Sequence, residues 1–142
     1  MILPVTEQEI DEFLSAFEAG ALPKARWTHG AHLLTGACNV HALGEAAAID
    51  KMRLCVRRHN EAVGTKNSAT SGYHETITIA FIKLLAGLLR KAQPLHRAAF
   101  AARAVERFEP DRGILRRYYD FDLAGSVEAR RRWVQPTLAS FD

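Results

Sequence analysis

What most limits the folds open to this chain is the spacing of its apolar residues. They recur every three or four positions, in segments separated by caps and breakers, which is the period of a helix buried on one face. Thr6-Glu7-Gln8-Glu9 reads as a capping box, and Ile10, Phe13, Leu14 and Phe17 follow at helical spacing up to Gly20. Thr28 is the expected N-cap of a second helix running to about Ala42, almost wholly apolar around Leu33, Leu34, Ala37, Cys38 and Val40, with Gly44 stopping it. A third helix is expected from about Glu45 to Ala62, with Ala48, Met52, Cys55, Val56 and His59 as its inner stripe. From Val63 to Gly72 the chain turns polar and reads as a loop.

Ser71 is the expected cap of a fourth helix, from about Gly72 to Lys91. It is apolar on nearly every side from Ile77 onward, so it is expected at the centre of the fold. Pro94 suits the first turn of a fifth helix, with Leu95, Ala98, Ala99, Ala102 and Val105 inward. Pro110 to Tyr119 reads as a short helix or turn. A last short helix starts at Ser126 and carries Glu128 up to Trp133 before Pro136 breaks it. There is no internal repeat, no low-complexity tract and no useful stretch of strand-like alternation. The expected fold is therefore all-α: one domain over 1–142, a bundle of about five main helices plus short C-terminal ones.

At 142 residues, 48% hydrophobic and 25% charged, the chain has the length and composition for one real core. Its formal charge of +3 is too mild to call for nucleic acid by itself. Cys38 and Cys55 fall within apolar helical stretches and read as buried thiols, not as a disulfide framework. The start, Met1 to Glu7, lacks the basic-then-apolar pattern of a signal peptide. The most apolar run, Ile77 to Leu89, contains Lys83 and falls short of the ~20 residues of a membrane span. A cytoplasmic protein with no membrane contact is expected.

The chemistry lies in two motifs, Trp27-Thr28-His29-Gly30-Ala31-His32-Leu33 and Ser71-Gly72-Tyr73-His74-Glu75-Thr76. Each falls at an expected helix start, where side chains from two elements can converge. His29 and His32, three apart, share a helix face. With His74 from a neighbouring helix they could give the three protein ligands of a catalytic zinc, iron, manganese or nickel site. Glu75 would then be a fourth ligand or the base on a bound water. A helix N-terminus disfavours a cation, but the same field keeps a histidine neutral and able to serve as ligand, base or hydrogen-bonding group. A metal-free polar pocket and plain structural histidines are the competing readings. His41, His59 and His96 are taken as structural or surface residues.

Around the motifs, Trp27 either staples the helix start or walls a pocket. Tyr73 presents its hydroxyl to a substrate or hydrogen-bonds the backbone. Asn67, Ser71 and Thr76 line the same pocket or satisfy turns and caps. Arg53, Arg57 and Arg58 could reach an anionic ligand, although a charged stripe on a helix is usually solvated. Arg112, Arg116, Arg117 and Arg130-Arg131-Arg132 could contact phosphates. With no recognition motif, and with Asp111, Asp120, Asp122 and Glu128 among them, they argue only weakly for nucleic acid. No glycine-rich phosphate loop implies a nucleotide cofactor.

The motifs resemble an uncharacterised bacterial family. Its members carry Trp-x-His-x-x-His-Leu, then Gly-Tyr-His-Glu-Thr, then a C-terminal Glu-Ala-Arg-x-x-Trp-Val-x-Pro stretch. Here these are Trp27 to Leu33, Gly72 to Thr76, and Glu128 to Pro136. The similarity spans most of the chain, but the acidic residue usual after the final proline is Thr137 here. The resemblance implies a shared site without naming a reaction, and implies that Arg130 and Trp133 fold back onto the pocket. Metal-dependent four-helix bundles that gather three histidines are a more distant comparison, whose order and spacing match poorly.

The functional expectation is a small metal-dependent enzyme of hydrolase or lyase type, with His29, His32 and His74 on the metal and Glu75 and Tyr73 in the chemistry. The alternative is a non-catalytic module that binds a small molecule or a partner in a metal-free histidine pocket. An apolar helical face is compatible with a homodimer.

Overall fold

The computed structural model describes residues 2–93 and 95–141. It is all-α, with no strand among the described residues. Helices α1 (Glu7–Glu18), α2 (His29–Leu43), α3 (Glu45–Ala62), α4 (Glu75–Lys91), α5 (Arg97–Phe108) and α6 (Val127–Arg131) are joined by loops, with 3-10 turns at Lys24–Arg26 and Ile114–Arg117. No described helix is long and apolar enough to cross a membrane.

Local chemistry sets the helix starts. The Glu9 amide donates to Thr6 Oγ1 at 3.1 Å and the Thr6 amide to the Glu9 carboxylate at 3.0 Å, so the capping box closes in both directions. Thr28 Oγ1 accepts from the Ala31 amide at 3.2 Å and Ser126 Oγ from the Ala129 amide at 3.1 Å. The fourth helix starts later than expected, and its cap is His74, not Ser71. The Ser71 hydroxyl instead donates to the Lys66 carbonyl at 2.7 Å inside the loop. The fifth helix also starts late, after an N-cap at His96; the turn expected at Pro94 lies outside the described residues.

The central helix is α2, where α4 was expected. Every residue from Leu33 to Val40 is buried, and α2 packs against α3, α4 and α5. Small residues allow this: a Cβ at Gly36 would stand 2.8 Å from Leu85 Cδ1 and 3.3 Å from Ile82 Cδ1, so α4 comes close only because Gly36 has no side chain. Around α2 a single large core gathers Phe13, Phe17, Leu34, Ile82, Leu85, Phe100 and Phe108. Cys38 and Cys55 are free and buried in it.

A second, smaller cluster of Tyr119, Leu123 and Ala129 holds the C-terminal segment. The segment is tied down mainly by α4. Thr76 Oγ1 donates to the Arg132 carbonyl at 2.7 Å and accepts from the Val134 amide at 3.0 Å. Tyr119 Oη donates to the Val134 carbonyl at 2.7 Å. Such bonds contribute about 1 kcal/mol each, and an unsatisfied buried partner costs more.

Candidate functional site

The two histidine motifs do separate things. At the first, Trp27 occupies the position before the cap and lies across His32 one turn on, with ring centroids 4.0 Å apart. That is the stapling geometry. Its other face stacks on Phe17 at 4.2 Å and 16°. Partly covered by the indole, His32 has its pKa pushed down to about 3, chiefly by desolvation and further by the neighbouring His29 and His59. It is neutral at physiological pH. His59, fully buried on the other side of Trp27 with ring centroids 5.4 Å apart, is held through Nε2 by the Leu22 carbonyl at 3.0 Å.

His29 stands free of this stack, edge-on to Phe81 with centroids 5.5 Å apart. Its Nε2 is sealed from solvent and has no hydrogen-bond partner. Burial lowers its pKa, the Arg112 charge lowers it further, and Glu109 partly opposes them. His29, Ile77 and Phe81 are shared by two adjoining spaces. On the inner side lies a cavity of about 90 Å3 bounded also by His32, Val56 and Leu85. On the outer side lies a cleft of about 390 Å3, with Arg112, Arg116, Asp122 and Leu123 on its walls.

At the second motif the side chains are engaged with the protein itself. His74 Nδ1 accepts the Ile77 amide at 3.1 Å, capping α4, and Nε2 meets the Leu123 carbonyl at 2.9 Å. These two bonds together require the neutral tautomer protonated on Nε2, which agrees with a pKa lowered mainly by burial. Glu75 takes a forked pair of bonds from Arg53, Nη2 at 2.8 Å and Nε at 3.0 Å, and a third bond from Tyr73 Oη at 2.7 Å. Burial raises the Glu75 pKa, but the bonds from Arg53 and Tyr73 and the charges of Arg53 and Arg57 outweigh it, leaving a net lowering. The Tyr73 phenol is pushed well above its usual value by burial and by this carboxylate. An ion-paired carboxylate with a lowered pKa is a poor base, and a tyrosine committed to it is a poor acid.

The set expected around a divalent metal is His29, His32 and His74. Among the described residues no three His, Cys, Asp or Glu side chains stand at metal-ligand spacing. The donors as arranged do not fit a resident ion, because His74 has no free nitrogen and Glu75 no unpaired oxygen. Arg130 folds back onto the second motif, while Trp133 lies elsewhere. Arg130 donates to the Gly72 carbonyl at 2.7 Å, and Trp133 lies under Lys83 at 5.6 Å. From sequence, His29 stands out as a candidate ligand, while Arg112 and Arg116 read as possible phosphate contacts. Nothing in their spacing places them beside a histidine some eighty residues earlier.

Comparison with protein-family models, with curated proteins and with solved structures finds no match.

Proposed function

We propose that this protein binds a small amphipathic carboxylate, with its apolar part in the cavity between α2 and α4 and its charged end in the outer cleft. The observation that carries this reading is the Nε2 of His29. It is a buried polar atom without a protein partner, on a residue that lines both an apolar cavity and a cleft bearing two arginines. A buried polar group without a partner costs free energy, and a ligand atom that reaches Nε2 offsets that cost. The inner cavity accommodates a few carbon atoms, and the outer cleft lies in the size range of small-molecule sites. The Arg112 and Arg116 guanidinia suit a carboxylate, and they outnumber the cleft's Asp122. The neutral imidazole of His29 supplies a hydrogen bond from either tautomer.

Calorimetric titration with octanoate and 3-phenylpropionate tests this. Saturable binding is expected, at least tenfold weaker in His29→Ala and in the Arg112→Ala/Arg116→Ala double variant. Absence of saturable binding to both probes, or equal affinity in all three proteins, would overturn the reading.

A further inference from the structure

Three parts of the chain, sharing no wall residue with the spaces around His29, converge on a cleft of about 450 Å3 whose walls include Arg57, Arg130, Arg131, Tyr73 and Ser68. Arg57 comes from α3, Ser68 and Tyr73 from the loop before α4, and the other two arginines from α6. The arrangement is built, not fortuitous. Asn67 fixes the loop by accepting from Asn60 Nδ2 and the Tyr73 amide, both at 3.0 Å, and donating to the Arg57 carbonyl at 3.2 Å. Arg57 lies over the buried Tyr73 ring, 4.9 Å from its centroid. Arg130 is aimed by the Gly72 carbonyl at 2.7 Å and the Ala124 carbonyl at 3.1 Å.

The arginines of this cleft make no direct ion pair. Arg53, Arg97 and Arg117 each reach a carboxylate within 3.0 Å. Among the described residues no carboxylate comes within 4.0 Å of Arg57, Arg130 or Arg131, and the only acid on the cleft walls is Glu61. Holding three guanidinia around one concavity is electrostatically unfavourable until an anion enters. The planar guanidinium fork matches the oxygens of a phosphoryl group, and several such forks around one cleft favour a group with more than one negative charge.

We propose that this cleft binds a phosphoryl group, free or carried by a small molecule, and that Arg57, Arg130 and Arg131 hold it. The site is separate from the His29 pocket and does not depend on that reading. The test is calorimetric titration at constant ionic strength with inorganic phosphate, pyrophosphate and ribose 5-phosphate, followed by retention on a short RNA duplex and on anionic vesicles.

Saturable binding of at least one phosphoryl probe is expected, weakened at least tenfold in Arg57→Ala and in Arg131→Ala. Both side chains are exposed, so neither variant threatens the fold. The Arg103→Ala variant, which removes an exposed cation on α5, should bind like wild type. A preference for ribose 5-phosphate over inorganic phosphate would assign the group to an ester, and the reverse preference to free phosphate. No saturable binding, an affinity unchanged in both cleft variants, an equal loss in Arg103→Ala, or retention only on duplex or vesicles would overturn the proposal.

Discussion

His32 lies with its imidazole 4.0 Å from the Trp27 indole, measured between ring centres, and burial holds its pKa at about 3. In the unfolded chain the same ring titrates near 6.5. Between these values the unfolded state binds the extra proton. Stability from this group is therefore complete above pH 6.5 and is lost progressively as pH falls toward 3. The slope from one such group is at most ~1.4 kcal/mol per pH unit. Urea unfolding followed between about pH 7 and about pH 5 should lose stability more steeply in wild type than in His32→Leu, by up to that slope. Parallel pH dependence in the two proteins would show that His32 is not the buried neutral ring described. His29 and His74 also have lowered pKa values and are present in both proteins, so the difference isolates His32.

At the scale of elements, the loop before α4 decides where the second motif goes. Gly72 sits at φ +77°, where a Cβ would be 2.5 Å from Asn67 Oδ1 and 2.6 Å from the Lys66 carbonyl oxygen. Gly64 has a similar φ of +82° but open space around it. Alanine at Gly64 should cost only the left-handed backbone penalty, ~1 kcal/mol. Alanine at Gly72 should cost more, roughly 2–3 kcal/mol, because it also displaces the Asn67 side chain that fixes the loop. Equal losses in chemical denaturation would contradict the close fit around Gly72.

The loop also shows where sequence reasoning reached its limit. Thr6, Thr28 and Ser126 are strong N-cap residues, and each caps the helix expected of it. Histidine is not a preferred cap, so Ser71 was the natural choice from sequence. The imidazole of His74 takes that place because the loop turns the Ser71 hydroxyl back onto Lys66.

Across the whole molecule, helical periodicity was enough to read the all-α class and most helix spans. It could not tell which of two apolar helices lies at the centre. Nor does periodicity report the close approach of α2 and α4 that Gly36 permits. The same limit applies to the sites. The two histidine motifs were visible as motifs, but whether their side chains meet depends on the path of the chain between them. His74 and Thr76 hold the C-terminal segment through Leu123, Arg132 and Val134. His29 faces Phe81 and a cleft built largely from residues past position 110.

The division of labour proposed for the two motifs gives His29 to the ligand and His74 to the helix cap. It is tested most directly by a long-range proton–nitrogen correlation spectrum of the histidine rings, recorded as octanoate and, in a separate sample, equimolar zinc are added. Octanoate should shift the His29 nitrogens while His74 keeps its Nε2-protonated pattern, and zinc should not move the three motif histidines as a set. Concerted shifts of His29, His32 and His74 that saturate at equimolar zinc would contradict it and restore a shared metal site.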